Sequence, residues 1–451
     1  MFRAERRLEA ATYLGEGHAT RLAIESKRTG WTLLSAVART WQPSRLKGIQ
    51  IAPEHGTPFL TATQVFDVRP IPRKWLAIDR TPEHRQRLAD HGEILLTRSG
   101  NVGRATLAQL TIKDVLISDD LLRFEFMEKE WWGWIYAYLR APTVRKMMKA
   151  AEYGHIIKHL ETHHLNSLPV VRVDGQKRAQ FGAKAREILD LRDRAYLLTA
   201  EAEQLFEQYF GAFEATDLGE TGFIFGAGAI FSARRRMDAW HHNPAVMALE
   251  DHLARQARSW NEIGELGFDV WLPTRFRRVA ARDGVEFLDS SDLFEINPDI
   301  TKRIADGDFR DPHNGRVERG WVLLARSGQI YGLNGSAMLS GQLHENKVIS
   351  DDIIRIAPRD PRCRSGYLLV AMTHPTLGRP RVKALPYGSS IPHIEVEDVR
   401  CLSIPRLAER AEEDIADRAE EAARLRDRAD ELETRLAESA DAEVERFTRG
   451  G

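Results

Sequence analysis

The amino-acid sequence predicts an α+β protein: two tandem mixed α/β domains, each followed by a long helix, with the two helices pairing as an antiparallel coiled coil. Three observations predict it. The chain repeats itself at a spacing of roughly 230 residues, the sequence signature of a duplicated unit. The first part of each copy carries short apolar runs of β type broken by Gly, Pro and Asp. The last part of each copy carries a heptad seam.

The repeat is read from five matches in one order. Thr57-Pro58-Phe59-Leu60 before Val65-Phe66 returns as Val285-Glu286-Phe287-Leu288 before Leu293-Phe294, 228 residues later. Leu95-Leu96-Thr97-Arg98-Ser99-Gly100 returns as Leu323-Leu324-Ala325-Arg326-Ser327-Gly328 at the same offset. Ile117-Ser118-Asp119-Asp120 returns as Ile349-Ser350-Asp351-Asp352 at 232. Tyr153-Gly154, Ile157, His159 and Glu161 return as Tyr387-Gly388, Ile391, His393 and Glu395 at 234. Leu191-Arg192-Asp193-Arg194-Ala195 returns as Leu425-Arg426-Asp427-Arg428-Ala429, also at 234. Each match alone is weak, but five in register are not chance.

The strands are expected at runs such as 93–97 and 321–325. The first helix, near 178–213, places Ile188, Leu191, Ala195, Leu198, Ala202, Leu205 and Tyr209 on its seam. The second, near 408–448, places Ile415, Ala422, Leu425, Ala429, Leu432 and Leu436 there, with Glu and Arg outside it. Mutual pairing is favoured over each helix packing on its own domain, because two equal helices each follow a globule; paired antiparallel, they would hold the globules at opposite ends of a rod. The expected divisions are an N-terminal segment 1–30, a first domain 31–175, a first helical region 176–215, a connecting segment 216–259, a second domain 260–405 and a second helical region 406–451.

Composition narrows the class. The 451 residues are 43% hydrophobic and 29% charged, and no apolar run approaches the ~18 residues of a membrane span. The start has no apolar core of signal-peptide type. The two cysteines, Cys363 and Cys401, have neither number nor spacing for a zinc site or disulfide framework. A cytoplasmic protein without membrane association is expected. Net charge is −1, but residues 406–449 hold 15 acidic and 9 basic residues, a net of −6 that leaves +5 on the remainder. A mildly basic body is compatible with nucleic acid without demanding it.

The duplicated motifs, Leu-Leu-Thr-Arg-Ser-Gly with Gly103, Ile-Ser-Asp-Asp, and the Tyr-Gly, Ile, His stretch before Leu168-Pro169 and the following helix, resemble those of the specificity subunits of type I restriction-modification enzymes. The resemblance covers about residues 31–215 and 260–449. It implies that each globule is a target recognition domain reading one half of a split double-stranded DNA site, the helices setting the spacing. It further implies two DNA methyltransferase subunits as partners and, in many members, a restriction or translocase subunit. Catalysis and S-adenosylmethionine would then belong to the methyltransferase, with no cofactor bound by this chain. Different side chains in the two copies imply an asymmetric target for an antiviral defence complex.

Candidate DNA-binding residues are polar, on loops, and near equivalent positions in both copies. Arg98 with Ser99, and Arg326 with Ser327, end a strand at a Ser-Gly turn and point either to DNA contact or to a structural salt bridge. His159 and His393 follow a Tyr-Gly loop and either contact DNA or hold that loop. Lys158 faces Pro392 and is a copy-specific candidate. Arg69, Arg73 and Lys74, beside Trp75 and Arg80, form a basic loop suited to phosphates or simply to solvent, and Arg379, Arg381 and Lys383 form a similar one. The acid pairs 119–120 and 351–352 read as strand-end structure rather than metal ligands. Catalytic and metal-binding residues are not expected. There is no Asn-Pro-Pro or Asp-Pro-Pro, no phosphate-binding Gly-x-x-x-x-Gly-Lys-Ser/Thr loop, and the Gly226-to-Gly228 pattern alone is weak. Two alternatives stand beside the DNA-reading subunit: a scaffold whose globules bind protein, and a stand-alone DNA-modifying enzyme built on that glycine turn and the acid pairs.

Overall fold

The computed structural model describes residues 13, 15–45, 48–80, 84–152, 158–214, 222–228, 236–239, 241–308, 315–329 and 332–450. They divide into two compact units, one of residues up to 193 together with 428 onward, the other of residues 194–427.

The first unit contains α1 (Glu16–Glu25), β1 (Trp31–Leu33), β2 (Ala38–Trp41), β3 (Gln50–Ile51), β4 (Thr57–Leu60), β5 (Lys74–Leu76), β6 (Ile94–Thr97), β7 (Ala105–Leu107), β8 (Leu116–Ile117) and β9 (Leu121–Phe126). These are followed by α2 (Trp131–Arg140), α3 (Pro142–Ala151), α4 (Thr162–Asn166), β10 (Pro169–Val171) and the start of α5 (Gly175–Phe210). An antiparallel sheet of order β2-β9-β6-β7 backs a small mixed sheet of order β3-β5-β4-β8, in which β4 runs parallel to β8. A ribbon of β1 and β10 closes the unit. Strand β6 is buried on both faces, and its alternation divides it between two cores. Ile94 and Leu96 join the larger core with Trp134, Tyr136 and Tyr138, while Leu95 joins Leu60, Phe66 and Ile117 in the smaller one.

The second unit repeats this plan. It holds α6 (Pro244–Gln256), β11 (Ser259–Glu262), β12 (Phe268–Trp271), β13 (Ala280–Leu288), β14 (Arg303–Ile304), β15 (Val322–Ala325), β16 (Ala337–Leu339), β17 (Val348–Ile349) and β18 (Ile353–Pro358). Then come α7 (Ser365–Thr373), α8 (Arg379–Lys383), α9 (Val396–Arg400), β19 (Ser403–Arg406) and the start of α10 (Glu409–Arg449). The sheet order β12-β18-β15-β16 reproduces that of the first unit, and β13 runs parallel to β17 as β4 does to β8. Val322 and Leu324 face the larger core; Leu323 and Ala325 face the smaller.

The equivalence extends to details outside the five sequence matches. Trp134 Nε1 donates to the Val171 carbonyl at 2.9 Å, and Tyr367 in the corresponding place donates its hydroxyl to the Pro405 carbonyl. Gly133 of α2 lies so close to α5 that a Cβ would stand 2.3 Å from the Gly182 Cα; Gly366 of α7 meets α10 in the same way, 2.5 Å from the Ala416 carbonyl oxygen. The repeat also begins earlier than the sequence matches indicate. Helices α1 and α6, within segments 1–30 and 216–259, open equivalent copies: α1 pairs with α3 through Glu16 and Lys146, and α6 pairs with α8 through Glu250 and Arg381.

The repeated Leu-Arg-Asp-Arg-Ala motif has a structural meaning in each unit. Asp193 accepts the Leu110 backbone N–H at 2.9 Å, and Asp427 accepts the Gln342 backbone N–H at 2.9 Å. Each acid thereby ties its long helix to the short turn after β7 or β16, satisfying a donor at the turn's N-terminus. In the first unit, α5 and α10 are joined by Lys177–Glu443, Arg192–Asp430 and Arg428–Glu187 ion pairs of 2.8–2.9 Å.

The helical seam differs from the expected one in two respects. Tyr209 is 47% exposed, whereas Phe206 and Phe210 are buried, because the last turns of α5 present positions four apart to the core. Charged Arg192 and Glu433, next to the seam positions Leu191 and Leu432, are buried as well. The Glu433 carboxylate receives Arg192 at 2.9 Å, Arg140 at 2.8 Å and the Tyr136 hydroxyl.

Candidate nucleic-acid interface

In each unit the chain leaves a central strand, β6 or β15, and turns at Arg-Ser-Gly. Gly100 has φ +73°, a conformation a side chain would strain, and a Cβ there would meet nothing within 4 Å, so the turn tip is open. The turn lies beside a second segment: Ser99 bridges His159 and Ser327 bridges His393 in antiparallel fashion. The backbone adds Leu160 N–H to the Arg98 carbonyl at 2.8 Å, and Ile394 N–H to the Arg326 carbonyl at 3.0 Å.

Beneath each loop pair an arginine joins three chain segments. Arg98 meets Asp120 at 3.2 Å and Glu161 at 2.5 Å. Arg326 meets Asp352 at 3.5 Å and Glu395 at 3.2 Å. Both guanidinium groups are largely covered, with about a fifth of the side chain exposed (20% and 18%). The conserved plan is finished differently in the two copies. In the first, Thr97 Oγ1 takes the Arg104 backbone N–H at 2.9 Å and donates to the Asn101 carbonyl at 2.5 Å. In the second, where Ala325 replaces Thr97, buried Asn334 donates to the Arg326 and Pro392 carbonyls at 3.1 and 2.9 Å.

The other sequence candidates separate. Lys158 is exposed beside His159, and His393 packs at a tilt against Tyr387, ring centroids 4.9 Å apart, and lies 3.3 Å from Glu395. The Tyr153, Gly154 and Ile157 of the first copy's motif lie outside the described residues. Arg69, Arg73 and Lys74 are exposed, the last on β5. The run at 379–383 is a short helix rather than an open basic loop, which corrects the expectation for Arg381. That side chain is 2% exposed, and its guanidinium meets Glu250 at 3.3 Å, donates to the Ser403 carbonyl and lies 4.8 Å over the Trp260 ring. Burial draws its pKa down against the pull of Glu250. Lys383 reaches inward to the Gly332 and Asn334 carbonyls, the former at 3.3 Å, so it too braces a loop; Arg379 is half-buried at the helix start.

The acid pairs sit at strand ends against arginines: Asp119 faces Arg87 at 3.7 Å and Asp351 faces Arg278 at 2.5 Å. Among the described residues no group of three or more His, Cys, Asp and Glu stands together to hold a metal. Among them, too, no strand lies between Phe210 and Ser259. No helix of the described residues is long and apolar enough to cross a membrane.

No protein-family model matches the chain, and no curated protein matches it. Among solved structures it is similar to the type I restriction-modification system S subunit from M. genitalium, with a TM-score of 0.31 and 11% identity over 94% of this chain and 97% of that one. It is similar also to the HsdS subunit from Thermoanaerobacter tengcongensis, with a TM-score of 0.27 and 13% identity over 94% and 97%. A third similar chain comes from a structure described as the basis of complex assembly and conformational transition of the type I R-M system, with a TM-score of 0.28 and 13% identity over 93% and 97%.

Proposed function

We propose that this chain is the sequence-specific DNA-recognition subunit of a type I restriction-modification-like defence complex, acting in the cytoplasm. The observation that supports the reading is that the same strand-turn-loop pair is built twice, with different side chains around its turn, Asn101 and Lys158 in one copy and Gln329 and Pro392 in the other. A duplicated frame with divergent tips suits two readers of different base sequences, since base edges specify while phosphate contacts position. In this reading each unit is a target recognition domain, and the long helices pair as an antiparallel coiled coil that sets the distance between half-sites. Double-stranded DNA is the ligand, read as a bipartite, asymmetric site. Two methyltransferase subunits supply the chemistry with S-adenosylmethionine, this chain binding no cofactor, and a restriction or translocase subunit joins them where cleavage follows.

The test maps methylated bases across the genome in cells with and without this chain, the methyltransferase being present in both. Loss of one asymmetric, gapped motif on deletion is the expected result. An unchanged methylome, together with a purified complex that binds all duplexes equally, would sink the reading in favour of a protein-binding scaffold.

A further inference from the structure

For the two covered arginines the sequence leaves DNA contact and a structural salt bridge open, and the geometry favours the second. We propose that Arg98 and Arg326, each with its two carboxylates, are positioning residues that fix the reading loops, and that base selectivity resides in the tips those loops present. The inference rests on the DNA-reading function proposed above.

Three features carry it. First, both terminal nitrogens of each guanidinium are already engaged by carboxylates, Asp120 and Glu161 in one unit and Asp352 and Glu395 in the other. One cation among two anions leaves a local charge of −1, which repels phosphate rather than attracting it. Second, the acids belong to the two segments that flank the loop. Asp120 also gives its carbonyl to the Arg98 N–H at 3.0 Å, and Glu161 caps α4 through its pairing with His164. The guanidinium therefore crosslinks β6, the start of β9 and α4 directly beneath the Ser99–His159 bridge. A planar bidentate fork can do this, whereas an ammonium cannot match both acids. Third, the chemistry above the clamp diverges while the clamp itself is repeated. Exposed Asn101 and Lys158 in one copy are matched in the other by Gln329, which donates to the Ser390 carbonyl at 3.1 Å, and by buried Pro392.

The second clamp is reinforced. Ser327 Oγ donates to Asp352 at 2.7 Å, and the Tyr387 hydroxyl donates to Glu395 at 3.2 Å. Loss of Arg326 is therefore expected to be milder than loss of Arg98.

The decisive variant is Asp120→Asn with Glu161→Gln in the full chain, assembled with its methyltransferase partners. It keeps Arg98 and removes two negative charges. A direct Arg98–DNA contact would be strengthened by this change, so unchanged or improved discrimination would overturn the proposal. The clamp instead predicts at least a tenfold loss of discrimination at one half-site, read by competition between duplexes altered in either half, with the other half-site unaffected. Arg98→Lys provides a second readout that needs no DNA: amide exchange of residues 99–103 and 158–160 should quicken tenfold or more while β6 and β9 stay protected. Unchanged exchange in those loops would also overturn it. If the wild-type complex prefers no duplex at all, the DNA-reading function fails on its own account, and the clamp is decided by the exchange experiment.

Discussion

At the scale of single residues, glycine lets a short helix of each unit lie against its long helix. Gly133 and Gly366 sit where any Cβ would overlap the backbone of the facing long helix, at 2.3 and 2.5 Å, and backbone cannot swing aside as a flexible side chain can. Gly133→Ala and Gly366→Ala should each destabilise by about 1–3 kcal/mol through overpacking, seen as a lower denaturant midpoint. Gly226→Ala, where a Cβ would meet nothing within 4 Å, should stay within about 0.5 kcal/mol of wild type. Equal midpoints for all three would mean that the helices separate without penalty. These glycines stand 233 residues apart, yet a lone glycine in an apolar helix carries no signal until the partner backbone is in place. Arg381 illustrates the converse. Its neighbours Arg379 and Lys383 make the sequence look like a basic surface run, but position 381 falls on the inner side of a five-residue helix and its partner Glu250 lies 131 residues away.

Among the elements, strands are the most legible because β6 and β15 are continuous apolar runs feeding two cores, and identity survives in such runs. Helices α1 and α6 escape notice because their equivalence lies in the placement of an ion pair, Glu16–Lys146 and Glu250–Arg381, rather than in letters. The helical seam is legible except where charged residues next to it are buried. Arg192 and Glu433 read as surface residues from sequence, and their burial follows from mutual pairing with Arg140, Tyr136 and Asp430. The second unit has Thr199 in the place of Glu433, hydrogen-bonded to Arg426 at 2.7 Å. Removing one member of a buried charged group strands the others, so Glu433→Gln should cost about 3–5 kcal/mol and Thr199→Ala about 1, compared by urea unfolding. The pH response separates the two acids. Burial works to raise Glu433, but Arg140 and Arg192 overcome it and hold the carboxyl at about 2, so its stabilisation is complete above pH 4.5 and fades as pH falls toward 2. Burial dominates for Asp430 and pushes it up to about 6 despite Arg192. A carboxyl raised in the folded state favours folding while protonated, so that contribution is lost as pH rises from about 4 to 6. Relative to Asp430→Asn, wild type should lose stability across that window and run parallel above it; a parallel course throughout would contradict the assignment.

For the whole molecule, the proposed DNA-reading function makes charge distribution the factor that would set how affinity for DNA responds to salt. The net of −1 hides a −6 stretch at residues 406–449 and a +5 remainder, and much of the basic content is spent internally. Arg87, Arg123, Arg192, Arg355 and Arg381 are buried, and Arg98 and Arg326 face carboxylates. Of the candidate residues in the first unit, Arg69, Arg73, Lys74 and Lys158 are exposed. In the second unit Lys302, 228 residues after Lys74, is held by Asp289. Each phosphate neutralised on duplex DNA contributes about −0.9 to the slope of log K against log salt. Four such cations give a slope of about −3 to −4, and affinity falls roughly a hundredfold between 50 and 200 mM salt. Replacing Arg73 and Lys74 by Gln should reduce that slope by about 2, while the ratio of affinities for the target and an altered duplex stays the same, because phosphate contacts carry no sequence information. A slope near −8 would place the phosphate contacts on surfaces other than these loops. A wild-type slope of zero would mean that the exposed cations meet no nucleic acid and that the duplicated loops serve a protein partner instead.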